Sequence, residues 1–191
     1  MTHVSIIGTG TMGQAIAGLV TRGGHTAQLL GETDAATQVS GDIVILAVPF
    51  PAISDVLTAR GASLAGRIVV DITNPLDFAT FDSLTVPADS SATAEIASAL
   101  PDSRVLKAFN TTFAATLASG TVGPLTTTVL IAGDDTEAKA ALAQVVTDGG
   151  LAAIDAGGLR RARELEAQGF LQITLAAAEK ISWTGGFGVA A

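Results

Sequence analysis

Two hydrophobic periodicities take turns along this chain. Compact aliphatic runs at residues 4–7, 26–30, 42–48, 67–72, 104–109, 126–131 and 151–154 read as strands. Between them, apolar residues recur every three or four positions, which predicts helices over 12–22, 52–60, 91–100, 111–117, 134–148 and 160 to about 182. In the first helix Ala15, Ile16, Leu19 and Val20 make the inward stripe, and Gly23-Gly24 ends it. The 42–48 run is continuously apolar after Asp42, as expected of a strand covered by helices on both faces, and Pro49 and Pro51 stop it. Asn74-Pro75 stops the 67–72 run, residues 76–90 form a looser segment, and Ser90 or Ser91 caps the next helix. Residues 119–124 read as a loop. The last helix carries a mostly apolar face (Leu165, Gly169, Phe170, Ile173, Ala176, Ala177 and Lys180) that suits a core contact or a homodimer interface, and a glycine-rich tail follows at 184–191. Repeated strand–helix alternation predicts an α/β fold: a doubly wound parallel sheet of the Rossmann type, forming one domain over residues 1–191.

Composition narrows the function. At 191 residues the chain is expected to hold a single domain, too short for a nucleotide-binding domain plus a full second catalytic domain. The net charge is −8, and the one basic cluster, Arg160-Arg161-Ala162-Arg163, runs straight into Glu164 and Glu166, so no nucleic-acid partner is expected. Without cysteine there is no disulfide scaffold, thiolate metal site or cysteine nucleophile, and no metal site is expected. Mean hydropathy is high at +0.50, yet the longest apolar run, residues 43–50, is eight residues, against about 20 for a membrane span. Met1-Thr2-His3 opens without the basic region of a signal peptide. These features predict a cytoplasmic protein that does not engage membranes.

The strongest local motif is Gly8-Thr9-Gly10-Thr11-Met12-Gly13, a G-x-G-x-x-G that leaves the first strand and opens the first helix. In that context Gly8 serves the tight turn, Gly10 lets a pyrophosphate approach the backbone, and Gly13 allows close helix–strand packing. The free N–H groups of Thr11, Met12 and Gly13 then face an anion at the positive end of the helix. Glu32 stands 19 residues after Gly13, where an acidic residue accepts hydrogen bonds from the adenosine ribose and favours NAD; it also reads as a solvated loop carboxylate. No Arg or Lys lies between Gly31 and Gly41, so a 2′-phosphate would find no basic partner in this loop. Only residues 33–41 separate Glu32 from the next strand, too few for a βα unit, so the sheet is expected to lack a helix and a strand at this edge.

Four more segments complete a resemblance over nearly the whole chain: Ala47-Val48-Pro49-Phe50, Asp71-Ile72-Thr73-Asn74-Pro75-Leu76, Lys107-Ala108-Phe109-Asn110-Thr111, and Asp155-Ala156-Gly157-Gly158-Leu159 continuing into Ala162-Arg163-Glu164-Leu165-Glu166. With the glycine turn, their order resembles the coenzyme F420-dependent NADP oxidoreductase family. It is also similar to the cytosolic reductase domain of the six-transmembrane epithelial antigen metalloreductases. The resemblance implies hydride transfer between NADP or NAD and a deazaflavin or flavin, with the cofactors carrying the chemistry and no obligatory general acid or base. It implies that Thr9, Thr11 and Met12 meet the pyrophosphate, that Ala47, Val48, Pro49 and Phe50 wall the ribose and nicotinamide, and that Asn74, Pro75 and Leu76 sit over the nicotinamide. Phe109, Asn110 and Thr111 would line the site of the second ring. Asn110 would bond the carboxamide or the acceptor, or else cap a loop. The chain departs from the family in lacking the basic and hydroxyl residues that read the NADP phosphate, and its acidity offers little to an acidic deazaflavin tail.

The remaining candidates read as structural. His3 and His25 are surface or turn residues, Lys107 a structural residue or minor site contact, and Asp71 and Asp155 loop-bonding residues at strand ends. Arg163 and Glu166 form an i, i+3 pair, and Trp183 packs at a core, an interface or the site's mouth. Two other functions are compatible: a dinucleotide-binding module without turnover, and a reductase of a small carbonyl or imine. The latter needs a proton donor, and the chain has no tyrosine.

Overall fold

The computed structural model describes residues 1–34 and 36–190. Five strands, β1 (His3–Ile7), β2 (Thr26–Leu30), β3 (Ile43–Leu46), β4 (Ile68–Asp71) and β5 (Arg104–Lys107), pair in parallel in the order β2-β1-β3-β4-β5. A hairpin of β6 (Thr121–Val122) and β7 (Leu125–Thr126) then leads to β8 (Thr128–Gly133) and β9 (Ala152–Gly157), which extend the sheet to seven strands. The helices are α1 (Thr11–Arg22), α2 (Ile53–Leu64), α3 (Ala92–Ala99), α4 (Ala114–Ser119), α5 (Thr136–Asp148) and α6 (Ala162–Ala177). None of them is long and apolar enough to cross a membrane.

The sheet is mostly parallel rather than wholly so: β8 runs antiparallel to β5, and β9 runs parallel to β8. A parallel crossover must carry the chain back along the sheet before the next strand starts. Between β5 and β8 the only helix is α4, six residues long; at 1.5 Å per residue that is about 9 Å, too short for the return. The expected loop at 119–124 instead contains β6 and the turn of its hairpin.

Side-chain alternation assigns the two faces. Val4, Ile6, Ile43, Ile45, Ile68, Val70 and Leu106 join Ile16, Leu19 and Val20 of α1 and Leu142 and Val145 of α5 in one buried cluster. The intervening residues Ile7, Val44, Leu46, Val69 and Val105 pack on Ile53 and Leu64 of α2 and on Ile96 of α3. Both faces of the central strands are therefore dry, which accounts for their unbroken apolar runs.

Two arginines substitute for the missing element between β2 and β3. That connection holds one short 3-10 turn, Glu32–Asp34. Buried Arg60 donates to the carbonyls of Asp34 (2.5 Å) and Thr37 (2.8 Å), and Arg67 donates to those of Val39 (3.1 Å) and Gly41. Backbone carbonyls that a helix or strand would have satisfied are thus met by guanidinium groups from α2 and the start of β4.

Boundaries shift where packing overrides pattern. α2 runs to Leu64 rather than to residue 60, and the final helix starts with a 3-10 turn at Leu159–Arg161 and stops at Ala177, short of residue 182. No glycine or proline marks that stop. Glu179 takes φ 57, its N–H reaches the Ala176 carbonyl at 3.0 Å, and the Lys180 N–H reaches that of Leu175 at 2.8 Å. This is a Schellman cap built without glycine.

Candidate active site

Four segments separated by up to a hundred residues meet at one edge of the sheet. The glycine turn follows β1, residues 47–50 follow β3, residues 73–76 follow β4 and residues 109–111 follow β5. These four strands are neighbours and parallel, so their carboxyl ends lie side by side. The strand order reverses around β1, with β2 on one side and β3 on the other, and ligands of doubly wound folds bind beside such a switch point.

Gly8 adopts φ +122, and a Cβ there would strike the Ala47 carbonyl; one on Gly13 would strike the Gly8 carbonyl. Both glycines are required by the protein's own packing. Gly10 differs: a Cβ on it would meet no protein atom within 4 Å, so the protein's own atoms do not require glycine there. α3 and α5 start on side-chain caps, Ser91 and Asp135, whereas α1 starts on Gly10 with no side-chain cap and no acidic residue in its first turn. Its free N–H groups suit an anion. Thr9 and Thr11 are exposed beside them, while Met12 packs partly against the core.

Ala47, Val48 and Phe50 are half-buried and Pro49 is exposed. Val48 and Phe50 lean on the α2 side of the core and Ala47 on the α1 side. Pro75 and Leu76 are buried and Asn74 is half-buried. Phe109 turns away from the site: its side chain is 1 % exposed and belongs to the core cluster, so it does not present a ring to the sheet edge. Its backbone is what shapes the site. Phe109 has φ 63, a conformation costing of order 1–3 kcal/mol for a bulky residue. The turn is held by its carbonyl, which accepts from the Thr112 N–H and hydroxyl.

That turn delivers Asn110 to Asn74. Asn74 Nδ2 donates to the Asn110 carbonyl (2.9 Å), and Asn110 Nδ2 donates to Asn74 Oδ1 (2.9 Å) and to the Leu165 carbonyl (2.8 Å). Two acceptors fix which end of the Asn110 amide is nitrogen. Its Oδ1 is buried and has no partner, and neither has the buried Thr73 Oγ1. An unpaired buried acceptor costs about 1–3 kcal/mol, so a ligand donor would find a site already desolvated.

Beneath the pair lies a buried ionic network. Lys107 Nζ sits 2.8 Å from Asp71 Oδ2, 2.9 Å from Glu166 Oε1 and 2.5 Å from the Thr73 carbonyl. Asp71 also accepts from the Thr73 N–H and the Thr93 hydroxyl. Glu166 accepts from the N–H groups of Ala92 and Thr93, so it caps α3 from α6. Glu166 therefore points inward rather than pairing with Arg163 on the helix surface; the i, i+3 pair of that helix is Arg161–Glu164 at 3.1 Å. Lys107 is structural in the strict sense: fully buried, it ties the ends of β4 and β5 to α3 and α6 and holds the 73–76 turn.

The sequence pointed to residues on the sheet edge but not to what α6 brings. Gly169 lets that helix press on the asparagine pair, since a Cβ there would strike Asn74 Oδ1 and the Asn110 carbonyl. Buried Gln172 donates to the Thr111 carbonyl (3.2 Å) and accepts from the Phe187 N–H (2.9 Å), tying the tail to the site. Trp183 packs on Phe113 with ring centroids 4.9 Å apart and stays half exposed. The glycine inside a helical pattern was the available signal. Of the histidines, His25 bonds Asp148 at 3.0 Å and His3 lies near Ser40, both away from this edge.

Glu32 is exposed in the 3-10 turn after β2. Next to it, Asp34 Oδ2 accepts from the Gly31 N–H at 2.8 Å. Gly31 abuts Thr9, so this turn borders the glycine loop.

A family profile described as "NADP oxidoreductase coenzyme F420-dependent" matches residues 26–75. The F420-dependent NADP reductase of Methanocaldococcus jannaschii is 31% identical over 166 residues, covering 85% of this chain and 74% of that protein. A crystal structure of a candidate F420-dependent NADP reductase from Arthrobacter sp. FB24 superposes with TM-score 0.86 at 25% identity over 100% of both chains. An imine reductase from Streptomyces aurantiacus shares the fold, with TM-score 0.65 at 17% identity over 94% of this chain and 63% of that one.

Proposed function

The chain belongs to the coenzyme F420-dependent NADP oxidoreductase family and is an oxidoreductase; from that premise we propose that it transfers hydride between a nicotinamide dinucleotide and a deazaflavin or flavin acceptor such as coenzyme F420. The observation that carries the reading is the unpartnered Asn110 Oδ1 on the same sheet edge as the uncapped start of α1. A nicotinamide carboxamide has the N–H donors that this buried acceptor lacks. When bound, the nicotinamide supplies the hydride itself. The chain's work is binding and orientation. The first turn of α1, with Gly8, Thr9, Gly10, Thr11, Met12 and Gly13, holds the pyrophosphate. Ala47, Val48, Pro49 and Phe50 wall the ribose. Asn74, Pro75 and Leu76 cover the nicotinamide, and Asn110 fixes its rotation so that one ring face meets the acceptor. In this reading the chain works as one cytoplasmic domain, and the half-exposed Leu171 on α6 and Trp183 after it support a homodimer.

The test is to mix the pure protein with NADH or NADPH and oxidised deazaflavin, or with flavin, and to follow the acceptor absorbance. Bleaching of the acceptor is expected. Tight dinucleotide binding without reduction of either acceptor would leave a binding module in place of the proposed activity.

A further inference from the structure

We infer that this chain selects NADH over NADPH, with Asp34 and Glu32 repelling the 2′-phosphate beside the glycine turn. The inference rests on the dinucleotide reading above and concerns its adenosine end only. An acidic residue at the end of the second strand accepts from the ribose 2′-hydroxyl of NAD, and a cation there accommodates the 2′-phosphate of NADP. Here the turn leaving β2 carries two carboxylates within three residues, Glu32 and Asp34. Asp34 is anchored rather than loose: its carboxylate accepts the Gly31 N–H at 2.8 Å, which keeps it close to Thr9 of the glycine loop. A carboxylate offers about four acceptor sites, so one bond to Gly31 leaves room for a ribose hydroxyl.

The fold brings two cations to this loop, and neither is available to a phosphate. Arg60 is buried and donates to the carbonyls of Asp34 and Thr37. Arg67 donates to those of Ser63, Val39 and Gly41. Moving either to a ligand would strip backbone carbonyls of their partners in a loop whose regular structure, among the described residues, is a single 3-10 turn. A phosphate monoester carries close to two negative charges at neutral pH. Its approach to two carboxylates without a free cation is repulsive, by roughly tenfold in affinity per carboxylate at close range in water. The discrimination therefore acts against one cofactor as well as for the other.

Calorimetric titration of the wild-type protein with NADH and with NADPH tests the inference without turnover. NADH is expected to bind at least about tenfold more tightly at low ionic strength, and the ratio should shrink at about 0.5 M salt as exposed charges are screened. The double variant Glu32→Gln, Asp34→Asn keeps size and hydrogen-bonding oxygens and should bring the two affinities within about threefold. NADPH binding the wild type as tightly as NADH, or more so, would overturn the inference while leaving the hydride-transfer reading intact. A wild-type preference for NADH that survives in the folded double variant would overturn the assignment to these residues. Binding of neither dinucleotide would remove both readings.

Discussion

Gly169→Ala sets two calculable effects against each other. Alanine is the better helix residue by about 1 kcal/mol, and Gly169 lies inside the sixteen-residue α6, so propensity alone predicts stabilisation. The added methyl, however, would be driven into Asn74 Oδ1 and would lie 2.9 Å from the Asn110 carbonyl oxygen. Both atoms are acceptors in the reciprocal asparagine pair, whose hydrogen bonds are 2.9 Å each, so neither yields without losing its donor. Overpacking costs about 1–3 kcal/mol and a buried group left unpaired about as much again. Relaxation exchanges one for the other rather than adding them, and after the propensity gain a net loss of about 1–2 kcal/mol remains. In a chain of this size that lowers Tm by roughly 2–8 °C. Gly18→Ala is the matched control: it sits inside α1, and its methyl would meet only the flexible end of Arg22 at 3.7 Å. It should raise Tm by about 2–4 °C. Calorimetric melts of the two variants, with hydride-transfer rates measured beside them, make the comparison. Gly169→Ala should also lose about tenfold or more in kcat/KM, because Asn110 moves with its partner. Equal Tm gains in both variants, with turnover intact, would refute the claim that α6 needs a glycine to seat the asparagine pair.

Lys107→Met should destabilise by about 3–5 kcal/mol in urea titration, because it leaves the Asp71 and Glu166 carboxylates buried without their cation. Adding Glu166→Gln should recover part of the loss, and a Lys107→Met protein as stable as wild type would contradict the network's role. Gly8→Ala should lower Tm through the strained φ and the clash with Ala47, whereas Gly10→Ala should leave Tm nearly unchanged and weaken dinucleotide binding by about tenfold in calorimetric titration. The Asp155 carboxyl is held below its usual range by the hydrogen bond from Lys139 and then by that from the Gly157 N–H. A depressed folded-state value stabilises above the unfolded value of about 3.9 and is lost as pH falls through the folded one. Asp155→Asn should therefore show a small deficit at pH 7, small because the Asp155 carboxylate is exposed although Lys139 is buried, and that deficit should close below about pH 4. A deficit that widens on acidification would reverse the sign argued here.

The central strands, α1 with its glycine turn, and the missing element after β2 were legible because each depends on neighbours in sequence. Strand burial on two faces shows as an unbroken run, and a turn with positive φ shows as Gly8. The antiparallel β8 was not legible, because strand direction depends on how far α4 carries the chain, which periodicity does not record. The family resemblance implied that Phe109 lines the site, and its burial in the core contradicts this. Its left-handed backbone, invisible in the sequence, accompanies a ring packed in the core and an Asn110 side chain buried against Asn74.

Charge pairing shows the division most clearly. Local spacing suggested Arg163 with Glu166 and a loop without cations, while Lys107 read as a structural residue or minor site contact whose partners the sequence did not name. Folding turned Glu166 inward to Lys107, which also holds Asp71, and it brought Arg60 of α2 and Arg67, just before β4, to the loop at 31–41. Amino-acid order specifies which chemistry is present and where strands must end, since backbone conformation and burial period are local properties. Which carboxylate meets which cation, and which amide oxygen stays unpartnered, depends on side chains from β4, β5, α3 and α6 arriving within 3 Å of one another. That arrangement follows from the packing of whole elements, and no segment of the chain carries it alone.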